Sequence, residues 1–188
     1  MKKLHIVVSR YNEDISWVSK IENITFDIFN KGSDYIKNSK IIPNVGREAH
    51  TYLYYIIENY DNLPEYVCFL QGNPFDHSQN MIFNINNFIN CDTEVDFMYI
   101  SENLIKCDIN GSPHHPGLPI GDVCRFLNKE VKDDLIEFGA GAQFIVSKKF
   151  ILNNEIDFYK KSISIVDQNI RPLGAYVFER LWGFIFNR

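Results

Sequence analysis

Leu4-His5-Ile6-Val7-Val8-Ser9-Arg10-Tyr11-Asn12-Glu13 is an apolar run that turns polar at its end, and Tyr66-Val67-Cys68-Phe69-Leu70-Gln71-Gly72-Asn73-Pro74 repeats the arrangement. Continuous apolar runs bounded by turn residues read as strands buried on both faces, as in a parallel sheet. After the first, Asn12-Glu13-Asp14 offers caps for a helix carrying Ile15, Val18 and Ile21; after the second, Met81, Ile82, Ile85, Phe88 and Ile89 make a helix face. Ile24 to Phe29, closed by Asn30-Lys31-Gly32, is a further strand candidate. Arg47 to Tyr60 has helical spacing and stops at Asn62-Leu63-Pro64. Val95 to Ile100 reads as a strand, as does Ala142 to Ser147 after the small-residue turn Gly139-Ala140-Gly141. Ile120 to Val131 and Leu173 to Phe186 read as helices, and Lys106 to Gly121 as an irregular loop. Strands alternating with helices imply an α/β layered domain with a mostly parallel central sheet flanked by helices, its ligand sites at the carboxyl ends of the strands.

With 188 residues, 45% of them apolar, one domain spanning 1–188 is expected. The net charge is −5 and the basic residues form no run of four, which argues against nucleic-acid and anionic-membrane surfaces. No apolar stretch approaches the roughly 18–20 residues of a membrane span. Met1-Lys2-Lys3 is followed by a brief apolar stretch with no small-residue cleavage site, so no secretory signal is expected. Cys68, Cys91, Cys107 and Cys124 form no C-x-x-C pair and read as reduced, mostly buried residues of a cytoplasmic protein.

Three polar clusters fall at strand ends: Arg10-Tyr11-Asn12-Glu13, Asn30-Lys31-Gly32, and Gln71-Gly72-Asn73-Pro74-Phe75-Asp76-His77. With Asn44-Val45-Gly46-Arg47-Glu48-Ala49-His50 at a helix start, they place cations, an aromatic ring and amide donors along one sheet edge, an environment suited to a nucleotide phosphate. Each has a plainer reading. Arg47-Glu48 serves equally as a capping arrangement, and Asp76-His77 reads either as a capping Asp with a solvated His or as a ligand or metal pair. His114 and His115, framed by prolines, are presented by a stiffened loop.

These phrases, together with Gly141-Ala142-Gln143-Phe144 and Glu179-Arg180-Leu181-Trp182, resemble the family catalogued as domain of unknown function 3431, itself similar to nucleotide-diphospho-sugar glycosyltransferases of the GT-A fold. The resemblance implies a GT-A-like, Rossmann-like layered domain that moves a sugar from a nucleoside diphosphate to a hydroxyl acceptor in glycan or polysaccharide synthesis. It implies that Arg10, Tyr11, Asn12, Glu13, Asn30, Lys31, Asn44, Gly46, Arg47, Gln71, Gly72, Asn73 and Gln143 bind the nucleotide sugar. GT-A enzymes hold a divalent ion with an acidic D-x-D signature at a strand end; here that end offers Asp76 and His77 as ligands for Mn²⁺ or Mg²⁺. Without a metal, Arg10, Lys31 and Arg47 must neutralise the leaving diphosphate. Glu179 is the first candidate for the general base, with Asp122 and His115 as substitutes. At this length, either the acceptor site is open or a fused or partner domain supplies part of it. Two other classes remain open: a metal-dependent phosphoester hydrolase using Asp76, His77, His114, His115 and Asp122, and a nucleotide- or carbohydrate-binding domain without turnover.

Overall fold

The computed structural model describes residues 1–112, 114–131 and 135–186, so Pro113 of the histidine loop lies outside the described residues. Along the chain the elements are β1 (Leu4–Arg10), β2 (Thr25–Asn30), β3 (Ser39–Ile41), α1 (Arg47–Asn59), β4 (Tyr66–Gln71), α2 (Met81–Asn90), β5 (Phe97–Tyr99) and β6 (Leu104–Cys107). They continue with β7 (Gly111–Ser112), β8 (His115–Pro116), α3 (Ile120–Phe126), β9 (Ile136–Gly139), β10 (Phe144–Ser147), α4 (Lys148–Ile151), α5 (Ile156–Ile163) and α6 (Leu173–Ile185).

The main sheet has the order β3-β2-β1-β4-β10-β5. β1 pairs in parallel with both β2 and β4, and β2 with β3; only β10 is reversed, antiparallel to β4 and β5. The fold is thus α/β with a mostly parallel central sheet flanked by helices. Alternation within the apolar runs explains the layering. Leu4, Ile6 and Val8 of β1 and Tyr66, Cys68 and Leu70 of β4 face a core shared with Trp17 and the Met81, Ile85, Phe88, Ile89 stripe of α2. Val7, Val67 and Phe69 face the opposite core, packed by Tyr52 and Ile56 of α1, Tyr159 of α5 and Val177, Phe178, Leu181 and Trp182 of α6. Both faces are covered, as a parallel sheet requires.

The helix expected after β1 is only a 3₁₀ turn, Ser16–Lys20: the Asp14 carboxylate accepts from the Ser16 amide at its start, and Ile21, already extended at φ −103° and ψ 122°, ends it. The described residues of 106–121 hold more regular structure than their composition suggests. They contain the end of β6, which pairs with β9, and the β7–β8 hairpin. α3 stops at Phe126 rather than Val131 because Asn128 turns left-handed at φ 55°. Cys68, Cys107 and Cys124 are buried thiols and Cys91 is exposed. Among the described residues no helix is long and apolar enough to cross a membrane.

Candidate functional site

Going from β1 the chain moves outward to β2 and β3, then returns to place β4 on the other side of β1. At such a switch point the connections leave in opposite directions and open a crevice beyond the carboxyl ends of the two strands. A cleft of about 440 Å³ lies there, lined by Ser9, Arg10, Tyr11 and Glu13 after β1, Lys31 after β2, Gln71, Asn73 and Asp76 after β4, and Asn44, Arg47 and Glu48 around the start of α1. Ile170 and Arg171 close one side. A larger hollow of about 800 Å³ includes Tyr66, the first residue of β4, and so opens by the amino end of that strand, away from the switch point.

Two of the expected phosphate cations are engaged within the protein. Arg10 forks onto Asp34, at 2.8 and 2.6 Å, and also donates to the Asn30 Oδ1 at 2.9 Å and the Glu13 carbonyl at 2.8 Å. Its guanidinium thus fastens the loop after β2. Asn30 is buried behind it, and its amide donates to the Asp34 carbonyl. Asn12 lies against the same loop; its amide nitrogen, oriented as its acceptor-rich surroundings require, donates to the Tyr11 carbonyl at 2.7 Å. Lys31 is buried and its Nζ donates to the carbonyls of Val45, at 2.6 Å, and Arg47. Burial pulls this ammonium down to about 8.

Those two carbonyls flank an unusual turn. Gly46 and Arg47 both adopt left-handed conformations, φ 62° and 50°, immediately before the regular part of α1. A Cβ on Gly46 would lie 2.3 Å from the Val166 carbonyl, so only glycine fits, whereas Arg47 is held against its preference. Lys31 from one side and the Gly46 amide, which donates to the Asn169 carbonyl at 2.8 Å, from the other stabilise the turn. The Ser9 and Thr51 hydroxyls, 2.8 Å apart, pin α1 to β1. The turn delivers Arg47 and Glu48 to the cleft. Arg47 keeps 37% of its side chain exposed and rests on Tyr176, whereas Glu48 retains 8% and lies 3.6 Å from the Arg47 Nε. Burial holds the Glu48 carboxyl above the usual carboxylate range against the pull of Arg47, and Glu179 adds to the push.

Glycines 32 and 72 fit by close approach: a Cβ on Gly32 would overlap the Tyr11 carbonyl, and one on Gly72 would meet the Glu13 carboxylate. That carboxylate accepts from the amides of Tyr11 and Asn12 at 2.6 and 3.1 Å. Gln143 is fully buried and donates to the Pro74 carbonyl at 3.0 Å, which fixes the short helix Pro74–Asp76. It therefore positions Asp76 instead of facing the cleft. Asp76 and His77 diverge: Asp76 lines the cleft, while the His77 ring packs against Gly141. Among the described residues no group of three or more His, Cys, Asp or Glu side chains is arranged to hold a metal ion.

Of the acid–base candidates, Asp122 is exposed, paired with Arg125, and lines a separate shallow hollow with Asn110 and Gly121. Asp122 is thus no part of the cleft, and the hydrolase ligand set does not assemble. Glu179 accepts from the Gly141 amide at 2.8 Å on one oxygen and pairs with Arg180 on the other. Arg180, buried, donates to the Tyr176 carbonyl at 2.8 Å and to the His115 Nδ1 at 3.0 Å. Because arginine only donates, that nitrogen holds no proton and the neutral ring carries its proton on Nε2. Burial, then Arg180, lowers the His115 pKa, and its ring lies 4.6 Å from that of Tyr176. Its basic nitrogen is occupied, which removes it as a base.

Arg171, Ile170 and the partner of Arg10, Asp34, carried no signal in the sequence, since they lie in irregular segments without periodicity. Glu48 was visible only as half of a capping pair. No curated protein and no solved structure matches the chain. A family model does match, over residues 6–103, just over half the chain and the segment that supplies every cleft residue except Ile170 and Arg171. The chain with this switch-point cleft therefore belongs to the family described as Protein of unknown function (DUF3431).

Proposed function

We propose that the cleft binds a nucleoside-diphosphate sugar and that the protein is a GT-A-like glycosyltransferase, passing the sugar to a hydroxyl acceptor in glycan or polysaccharide synthesis in the cytoplasm. The supporting observation is the meeting of four separated stretches, 10–13, 31, 44–48 and 71–76, at one topological switch point. The volume, about 440 Å³, suits a small polar ligand. Arg47 and Arg171 are the cations left to meet a diphosphate, since Arg10 and Lys31 are committed to the scaffold. The amides of Asn44, Gln71 and Asn73 suit sugar hydroxyls, and Tyr11, 51% exposed, offers a flat apolar face at the mouth. A fused or partner domain would complete the acceptor side.

One observation favours a second reading: the β4 end carries Asp76 alone where two carboxylates are usual, which suits a nucleotide- or carbohydrate-binding domain without turnover. A thermal-shift panel of nucleoside diphosphates and sugar nucleotides, with and without Mn²⁺, tests both. Binding at about 100 times the dissociation constant adds about 2.7 kcal/mol of stability. Stabilisation with slow release of free sugar supports the transferase; stabilisation without release supports the binding domain; no shift with any nucleotide contradicts both.

A further inference from the structure

We propose that Glu48, and not Glu179, is the general base that takes the acceptor proton; this rests on the transferase reading. Of the other carboxylates at or near the cleft, Asp76 stands in the short helix after β4, while Glu13 is held by two backbone amides and Glu179 by the Gly141 amide and Arg180. The last two are committed to holding loops. Glu48 lines the cleft, is set there by the strained Gly46–Arg47 turn, and has Arg47 at 3.6 Å, beyond ordinary hydrogen-bond reach. Strain held by surrounding contacts, as Lys31 and Asn169 hold this turn, is a feature that clusters at working sites. The charged and titratable groups facing Glu48 are Arg47 and Tyr52 on its own helix, Lys31 after β2 and Glu179 on α6. Burial raises the proton affinity of this carboxyl against the pull of Arg47, of its own backbone amide and of Lys31, and Glu179 adds to the rise.

The step is a displacement. The acceptor oxygen forms a bond to the anomeric carbon as its proton passes to the Glu48 carboxylate. The bond from the anomeric carbon to the diphosphate oxygen breaks, and its electron pair leaves on the nucleoside diphosphate beside Arg47 and Arg171. Glu179 is then a positioning residue: it ties α6 to the turn at Gly141, the residue against which His77 packs.

The test is sugar-nucleotide turnover by the whole chain against pH, for the wild type, Glu48→Gln and Glu48→Asp, with nucleoside-diphosphate binding measured in parallel. Glu48→Gln should lose about 100-fold or more in turnover while the nucleotide still raises its melting temperature as in the wild type. Glu48→Asp should recover part of the rate, and the wild-type rate should fall on the acid side along a limb that Glu48→Gln lacks. Unchanged turnover in Glu48→Gln overturns the assignment and leaves the transferase reading standing. So does a wild-type profile with no acid limb, which decides the matter even if Glu48→Gln fails to fold. A wild type that binds nucleotide without turnover overturns the assignment in favour of the binding domain; one that neither binds nor turns over removes the transferase reading as well.

Discussion

Arg10 makes the clearest case at the scale of a single residue, because its fork ties Asp34, Asn30 and the Glu13 carbonyl together. Lysine keeps the charge but not the fork, so Arg10→Lys should lower the urea midpoint by the equivalent of about 1–3 kcal/mol. Arg171→Ala should leave the melting temperature unchanged and weaken nucleoside-diphosphate binding about 10-fold or more, read by titration calorimetry. Lys31 gives a pH dependence of defined sign. Its pKa falls from the usual 10.5 to about 8 on folding, so between those values the unfolded chain binds more protons. Stability therefore rises from pH 8 toward 10.5. Lys31→Met should remove that rise relative to the wild type in denaturant melts across the range. At this scale the sequence shows residue types at strand ends and not their partners. Arg10 and Lys31 stand out as cations, but their bonds to Asp34 and to the Val45 and Arg47 carbonyls depend on how the loops fold back.

Among the elements, the strands with long apolar runs, β1 and β4, and the helices with full stripes, α1, α2 and α6, are legible because burial on a fixed period leaves its mark in the sequence. Short elements escape. β3 is three residues at the sheet edge with Ile41 exposed, and α5, at eight residues, is too brief to establish a period. The reversed direction of β10 is invisible because an apolar run carries no sign of which way it points; only pairing with β4 and β5 fixes it. The turn into α1 is the most consequential local device. Gly46→Ala must place a Cβ 2.3 Å from the Val166 carbonyl at φ 62°. It should destabilise the fold by more than about 1 kcal/mol in thermal melts and reduce nucleotide affinity by displacing Arg47 and Glu48.

For the molecule as a whole, the segment matched by the family model and the folding unit do not coincide. The family match ends at residue 103, yet β10 lies between β4 and β5 in the sheet and α6 contributes Val177, Phe178, Leu181 and Trp182 to the core. A fragment of residues 1–103 lacks that central strand and should give no cooperative melt, whereas the whole chain should; circular dichroism distinguishes the two. The cleft likewise joins residues near the start of the chain to Ile170 and Arg171, so its ligand chemistry belongs to the complete fold. The most direct measurement is a crystal structure after soaking with a nucleoside diphosphate. The account predicts the diphosphate beyond the carboxyl ends of β1 and β4, within hydrogen-bond reach of Arg47 and Arg171; a cleft left without ligand at saturating concentration, or nucleotide bound elsewhere, contradicts it.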